Sequence, residues 1–204
     1  MAGQPAFMRE DLEHLQATLD RLYRLVSRIL DKSLAALEKG EPIDVGDAVQ
    51  IAEELKELVE YTATLFIARY QPLGDPLLEA LSTIRVSYDL YRIARYSREI
   101  TYTIARIPGV TPPEDVLRAA ENARQALQYA YKAYKTGDPK ALEKVSELDE
   151  QVDKLYIARL DMLKAKTTLP TPDAAALLML RHLERILDHE VYIAKAKRGV
   201  HSKA

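Results

Sequence analysis

The chain has 204 residues, 48% of them apolar and 29% charged, a net charge of −2 and no cysteine. That length suits one elongated helical domain or two small ones, and the composition is that of a soluble globular protein. The near-neutral balance gives no reason to expect nucleic-acid binding, the missing cysteine excludes disulfides and thiolate sites, and no run of about 18 apolar residues exists to span a membrane.

From the N-terminus, Met1-Ala2-Gly3-Gln4-Pro5-Ala6-Phe7 has no signal-peptide layout. A cytoplasmic location is therefore expected, with any membrane role exerted through a partner. Leu12, Leu15, Leu19, Leu22, Val26, Ile29 and Leu30 follow the 3.6-residue period of a helix over about 8–39. Gly40-Glu41-Pro42 stops it. A second helix is expected over about 45–70, with Ile51, Leu55, Leu58 and Leu65 on one stripe. Pro72, Gly74 and Pro76 mark a loop, and a third helix covers about 77–106. Pro108-Gly109-Val110-Thr111-Pro112-Pro113 breaks the chain again. Helices four, five and six follow over about 112–136, 139–166 and 172–198. Their starts carry cap-plus-proline signals: Thr111-Pro112 with Glu114, Asp138-Pro139 and Thr171-Pro172, as Asp75-Pro76 does for helix three. Nothing alternates like a strand, so the class is all-α, and long helices with short loops favour bundles.

The two halves read as copies. Gly40-Glu41-Pro42 matches Gly137-Asp138-Pro139 at an offset of about 97, which lays Ile51, Leu55 and Leu58 on Leu148, Val152 and Leu155. Past the middle loop the offset becomes about 93, laying Leu90-Tyr91-Arg92-Ile93 on Leu183-Glu184-Arg185-Ile186. The expected organisation is two tandem three-helix bundles, residues 1–107 and 112–204, related by an internal repeat.

Four carboxylates stand out in the second half: Asp149 with Asp153, and Glu184 with Asp188. Each pair has i, i+4 spacing, which places both acids on one helix face about a turn apart. Like charges so placed repel, and two such pairs brought together would need a cation between them. The same spacing also fits a solvated face in which Lys154 and Arg185 pair with the acids. Under the overlay Asp149 falls on Ala52, Asp153 on Lys56, Glu184 on Tyr91 and Asp188 on Arg95. If the acids hold a metal, the first half does not.

Leu183-Glu184-Arg185-Ile186-Leu187-Asp188-His189 resembles the signature of the PhoU family, the accessory regulators of phosphate uptake, and Gly137-Asp138-Pro139 through Tyr156 resembles that family's other segment. The resemblance covers nearly the whole chain. It implies two symmetry-related three-helix bundles and an acidic motif on two helices of each. It also implies an iron or zinc cluster on those motifs, with manganese or magnesium as lesser alternatives, and action at the membrane with phosphate transporters and their signalling partners. The matching positions are Asp149, Asp153, Glu184 and Asp188. Leu187 replaces the usual glycine, and the first-half motif is expected to be lost, so at most one metal site is expected.

The remaining signals have less chemistry in them. His182 and His189 flank the second acid pair and read as surface or interface histidines; neither forms the Glu-x-x-His pairing of di-iron bundles. Helix three carries Arg85, Arg92, Arg95, Arg98 and Arg106 interleaved with tyrosines. These read as arginines lying over the core, or, at Tyr91 and Arg95, as a charge-inverted face for an acidic partner or a second subunit. Tyr129, Tyr131 and Tyr134 are expected to pack helix four. Lys195, Lys197, Arg198 and Lys203 form a basic tail that complements a helix C-terminus.

No nucleophile–base pair, phosphate loop or dinucleotide fingerprint is present. The expectation is a non-enzymatic regulator of phosphate uptake, acting with transporter components or a signalling protein and forming a homodimer. The alternatives are a metal-dependent hydrolase or metal store, or a regulator of another transporter such as a cation channel.

Overall fold

The computed structural model describes residues 6–164 and 166–196. Six helices account for nearly all of them: α1 Ala6–Lys39, α2 Gly46–Tyr70, α3 Asp75–Arg106, α4 Glu114–Thr136, α5 Pro139–Lys164 and α6 Thr171–Ala196. Among the described residues there is no strand. Among the same residues no helix is long and apolar enough to cross a membrane. The basic tail residues Lys197, Arg198 and Lys203 lie outside the described residues.

Local chemistry explains most boundaries. Gly137 ends α4 in the left-handed region, at φ 71°, where a residue without Cβ adds no strain. The Asp138 carboxylate then accepts from the Lys140 N–H at 3.0 Å and opens α5. Three expected caps do not form: α6 begins at Thr171 itself, and the other two are those of α4 and α3. The N-cap of α4 is Pro113, not Thr111, and that of α3 is Gly74, with Asp75 already helical. The consecutive prolines 112 and 113 hold residue 111 and residue 112 extended and delay the helix.

The helices form two three-helix units, α1–α2–α3 and α4–α5–α6, that meet through α3 against α6 and α1 against α4. Asp89 touches His189, and Tyr96 packs on His182, so α3 and α6 run antiparallel. The offset of 93 maps one of these contacts onto the other, because 89 lies on 182 and 96 on 189. That exchange is the mark of a pseudo-two-fold axis through the α3–α6 contact. Leu19, Leu22, Val26, Leu90, Ile93, Leu127, Leu183 and Ile186 belong to one apolar cluster that spans both units. Burying each such side chain contributes about 1.5–3 kcal/mol. Leu187, standing where a glycine was expected, is fully buried in the same cluster.

The units differ at their far ends. In the first, α1 and α2 extend around a separate plug of Met8, Leu12, Leu15, Val59, Ala63 and Phe66. In the second, Arg159 occupies the place of Ala63 and is buried. It binds Asp115 of α4 through two guanidinium nitrogens at 2.6 and 3.0 Å and lies 3.5 Å from Asp173 of α6.

Of the expected stripe on α2, only Leu55 packs against the core. Ile51, Leu58 and Leu65 are 49%, 45% and 44% exposed, and the buried line is Val49, Ala52, Val59, Ala63 and Phe66. Apart from Phe66 the residues that face the core are small or β-branched, while Ile51, Leu58 and Leu65 point outward. The overlay shifts accordingly. An offset of 96 pairs buried with buried (Val49 with Val145, Ala52 with Leu148, Ala63 with Arg159); an offset of 97 does not.

Candidate functional site

The second unit sets α5 antiparallel to α6, so that Asp149 comes opposite Asp188 and Tyr156 opposite Arg181, whose guanidinium lies 5.6 Å from the ring centre. The four acids named from the sequence do come together. Burial pushes the Asp149 carboxyl up to about 6, and the charges of Asp153, Asp188 and Glu184 push it further the same way. Asp153 and Glu184 are shifted upward as well, first by burial; Asp188 adds to both, and Arg181 pulls Glu184 partly back.

A fifth carboxyl stands behind them. Glu190 is fully buried, neither of its oxygens has a hydrogen-bond partner among the described residues, and burial followed by the Asp149 charge drives its pKa well upward. Glu190 falls between the buried Leu187 and Ile193, where a carboxyl is tolerated only when paired or neutral.

The cluster is partly compensated from its own helix. Arg181 donates to Glu184 and Arg185 to Asp188, both at 2.6 Å. With the side chains so turned, no three carboxylates or histidines among the described residues converge as a ready metal-binding group. The donor set nonetheless suits a cation. It is all carboxylate oxygen, as hard divalent ions prefer, and the charges of Asp153, Asp188 and Glu184 add to burial in raising Asp149, a mutual repulsion that a cation would relieve. Asp149, Asp153, Glu184 and Asp188 would hold such an ion once the two arginine pairs open.

At the offset of 96 the first-unit counterparts of Asp149 and Asp153 are Glu53 and Glu57, not Ala52 and Lys56. Half of the acidic motif therefore survives on α2. Its partners on α3 do not, because Tyr91 and Arg95 stand where Glu184 and Asp188 stand in the other unit. Arg95 lies beside the Tyr91 hydroxyl and near Glu53 and Glu99, and Lys56 sits over the Tyr91 ring at 5.8 Å. In the first unit the positive charge at this place belongs to side chains of the protein itself, Arg95 and Lys56.

The histidines are placed differently from expectation. His189 is not on the surface: it is 6% exposed, and its Nδ1 lies 2.8 Å from the Asp89 carboxylate across the α3–α6 contact. His182 is half-buried against Tyr96, and burial, with a smaller opposing pull from Glu99, lowers its pKa. Of the helix-four tyrosines, Tyr131 and Tyr134 are buried while Tyr129 is 36% exposed. Tyr131 stacks on Tyr23 at 3.8 Å and donates to Asp20, joining α4 to α1.

Comparison with known proteins adds a family. A family model described as the PhoU domain matches residues 19–104 and again 116–196, one match to each three-helix unit. A protein of Archaeoglobus fulgidus named phosphate-specific transport system accessory protein PhoU homolog is 26% identical, with 94% of this chain and 98% of that protein covered. A Rhizobium meliloti protein of the same name is 23% identical over 91% of this chain and 83% of its own. Among solved structures, the phosphate transport system regulatory protein PhoU from Streptococcus pneumoniae superposes with a TM-score of 0.80 at 17% identity, covering 96% of this chain and 97% of that one. PhoU from Pseudomonas aeruginosa gives 0.78 at 21% identity, covering 94% and 99%. At these identities the two structures speak for the fold.

Proposed function

The chain belongs to the PhoU family, and we propose that it is a non-enzymatic, cytoplasmic regulator of phosphate uptake that docks onto a component of a phosphate transporter. The relatives above bear accessory or regulatory names, which supports regulation over turnover. The observation that carries docking is the outer face of α2. Ile51, Leu58 and Leu65 recur at i, i+7 and i+14, so they share one face of a straight helix, and Tyr61 beside them is 64% exposed. A helix that keeps its large apolar residues outward has a use for them there, since contiguous exposed apolar surface marks interaction sites.

The rim of that face names the chemistry of the partner. Asp47, Glu54 and Glu57 run along one side of it, all on α2. Such a border favours a transporter surface that sets lysines or arginines beside an apolar ridge, and it opposes surfaces of its own sign. In the second unit, a divalent ion held by Asp149, Asp153, Glu184 and Asp188 would neutralise the cluster and tie α5 to α6. The docking face and the ion site then sit on pseudo-equivalent helices, one in each unit.

The test is complementation. In a strain lacking the endogenous copy, wild type restores normal control of phosphate uptake and is recovered with the transporter from detergent-solubilised membranes. Leu58→Asp/Leu65→Asp, folded as wild type by circular dichroism, loses both. A double variant that complements fully and still co-purifies removes this face from the mechanism.

A further inference from the structure

The first unit has a recess at the place where the second unit gathers its acids. It is about 490 Å³ in volume and lies between the first turns of α2 and the middle of α3. Gln50 and Glu53 line it from α2, and Tyr91, Arg95 and Arg98 from α3. By the offsets the structure supports, Arg95 is the counterpart of Asp188, Tyr91 of Glu184 and Glu53 of Asp149. The pseudo-two-fold therefore relates two sites of opposite sign.

The lining of the recess sets two arginines against one carboxylate, Glu53. Arg98 has a long ionic contact to Glu99, at 3.5 Å, and its guanidinium lies 5.8 Å from the Tyr102 ring centre. Two arginines in one concavity present several donors in fixed planes, the arrangement that matches oxyanion geometry. The Gln50 amide and the Tyr91 hydroxyl add neutral donors on the other walls. The dipole of α2 favours negative charge near its first turns.

We propose that this recess binds a small tetrahedral oxyanion, free inorganic phosphate, between Arg95 and Arg98. Glu53 sets the choice of ion. A carboxylate in an otherwise cationic recess repels a fully ionised anion such as sulfate. It accepts a hydrogen bond from phosphate, which carries a proton at neutral pH, because a carboxylate is an acceptor only. The site goes beyond docking, since it gives the protein a means of reading the solute whose uptake it regulates. It stands on the recess alone and is tested on purified protein, so its failure and the failure of docking are separate outcomes.

The experiment is isothermal titration of the full-length chain with inorganic phosphate and with sulfate, at matched ionic strength and pH 7.5. The expected result is saturable 1:1 phosphate binding, with sulfate at least tenfold weaker. Arg95→Met/Arg98→Met, checked for wild-type helicity and melting, loses the phosphate signal. Glu53→Gln keeps phosphate binding and brings sulfate to within about threefold of it, a readout that general loss of structure would not produce. No saturable phosphate binding by wild type overturns the proposal. So does binding that survives in the double arginine variant, and so does a wild type that binds sulfate as well as phosphate.

Discussion

Asp149 shows how much a residue's chemistry depends on neighbours far away in sequence. Its carboxyl is held at about 6 in the folded chain against an ordinary 3.8, by burial first and the other acids second. The folded state thus binds more protons than the unfolded one between those two values, and this group's contribution makes stability fall as pH rises across that window. His182, whose pKa is lowered, works in the opposite sense and costs stability as pH falls below its ordinary value. Comparing wild type with Asp149→Asn isolates the single carboxyl. In chelator-treated protein the variant should gain on wild type in melting temperature as pH goes from 4 to 7, the difference levelling off above about 6. Added manganese or zinc should raise wild type at pH 7 and leave the variant nearly unmoved, because the ion and the proton compete for the same oxygen. A melting difference that is flat with pH would show that Asp149 is not under the pressure described. The four acids were legible in the sequence because i, i+4 spacing is a local property. Glu190 was not, because nothing local distinguishes a charge on the buried side of α6 from one a third of a turn away.

At the scale of the element, α2 is instructive because it has two apolar lines and only one faces in. Counting large hydrophobics selects Ile51, Leu58 and Leu65, yet the core takes Val49, Ala52, Val59 and Phe66. Periodicity finds that a helix is amphipathic; it does not say which of two stripes its neighbours will cover. The difference is measurable. Leu58→Asp/Leu65→Asp should leave the free energy of unfolding within about 1 kcal/mol of wild type, at roughly 0.5 kcal/mol for each surface change. Phe66→Ala should cost about 3–5 kcal/mol, read by urea denaturation. Similar losses for both would mean that α2 packs through the other face. The same one-residue register decides that Glu53, not Ala52, stands opposite Arg95. It therefore decides what lines the oxyanion recess.

For the whole molecule, the apolar cluster that runs through α1, α3, α4 and α6 makes the two repeats one cooperative body. The Asp89–His189 pair sits inside that contact. Removing the imidazole leaves a carboxylate that is 8% exposed with its partner gone, and breaking a buried pair in this way costs about 3 kcal/mol. His189→Ala should therefore lower stability by roughly that amount and still unfold in one transition by circular dichroism. Two separated transitions, in wild type or variant, would show that the units fold independently and that the contact is a docking of domains rather than a shared core.

The sequence by itself determined the class, the six helices, nearly every break between them, the repeat and the four acids on α5 and α6. All of these follow from short-range physics: hydrophobic period, proline and glycine at the breaks, and spacing along one helix. Only the tertiary structure decided the facing of α2, the true register of α2 against α5, the burial of Glu190 and His189, and the inversion of charge between pseudo-equivalent sites. Each of those depends on which side chain lies across from which, and that is settled by the packing of one helix on another.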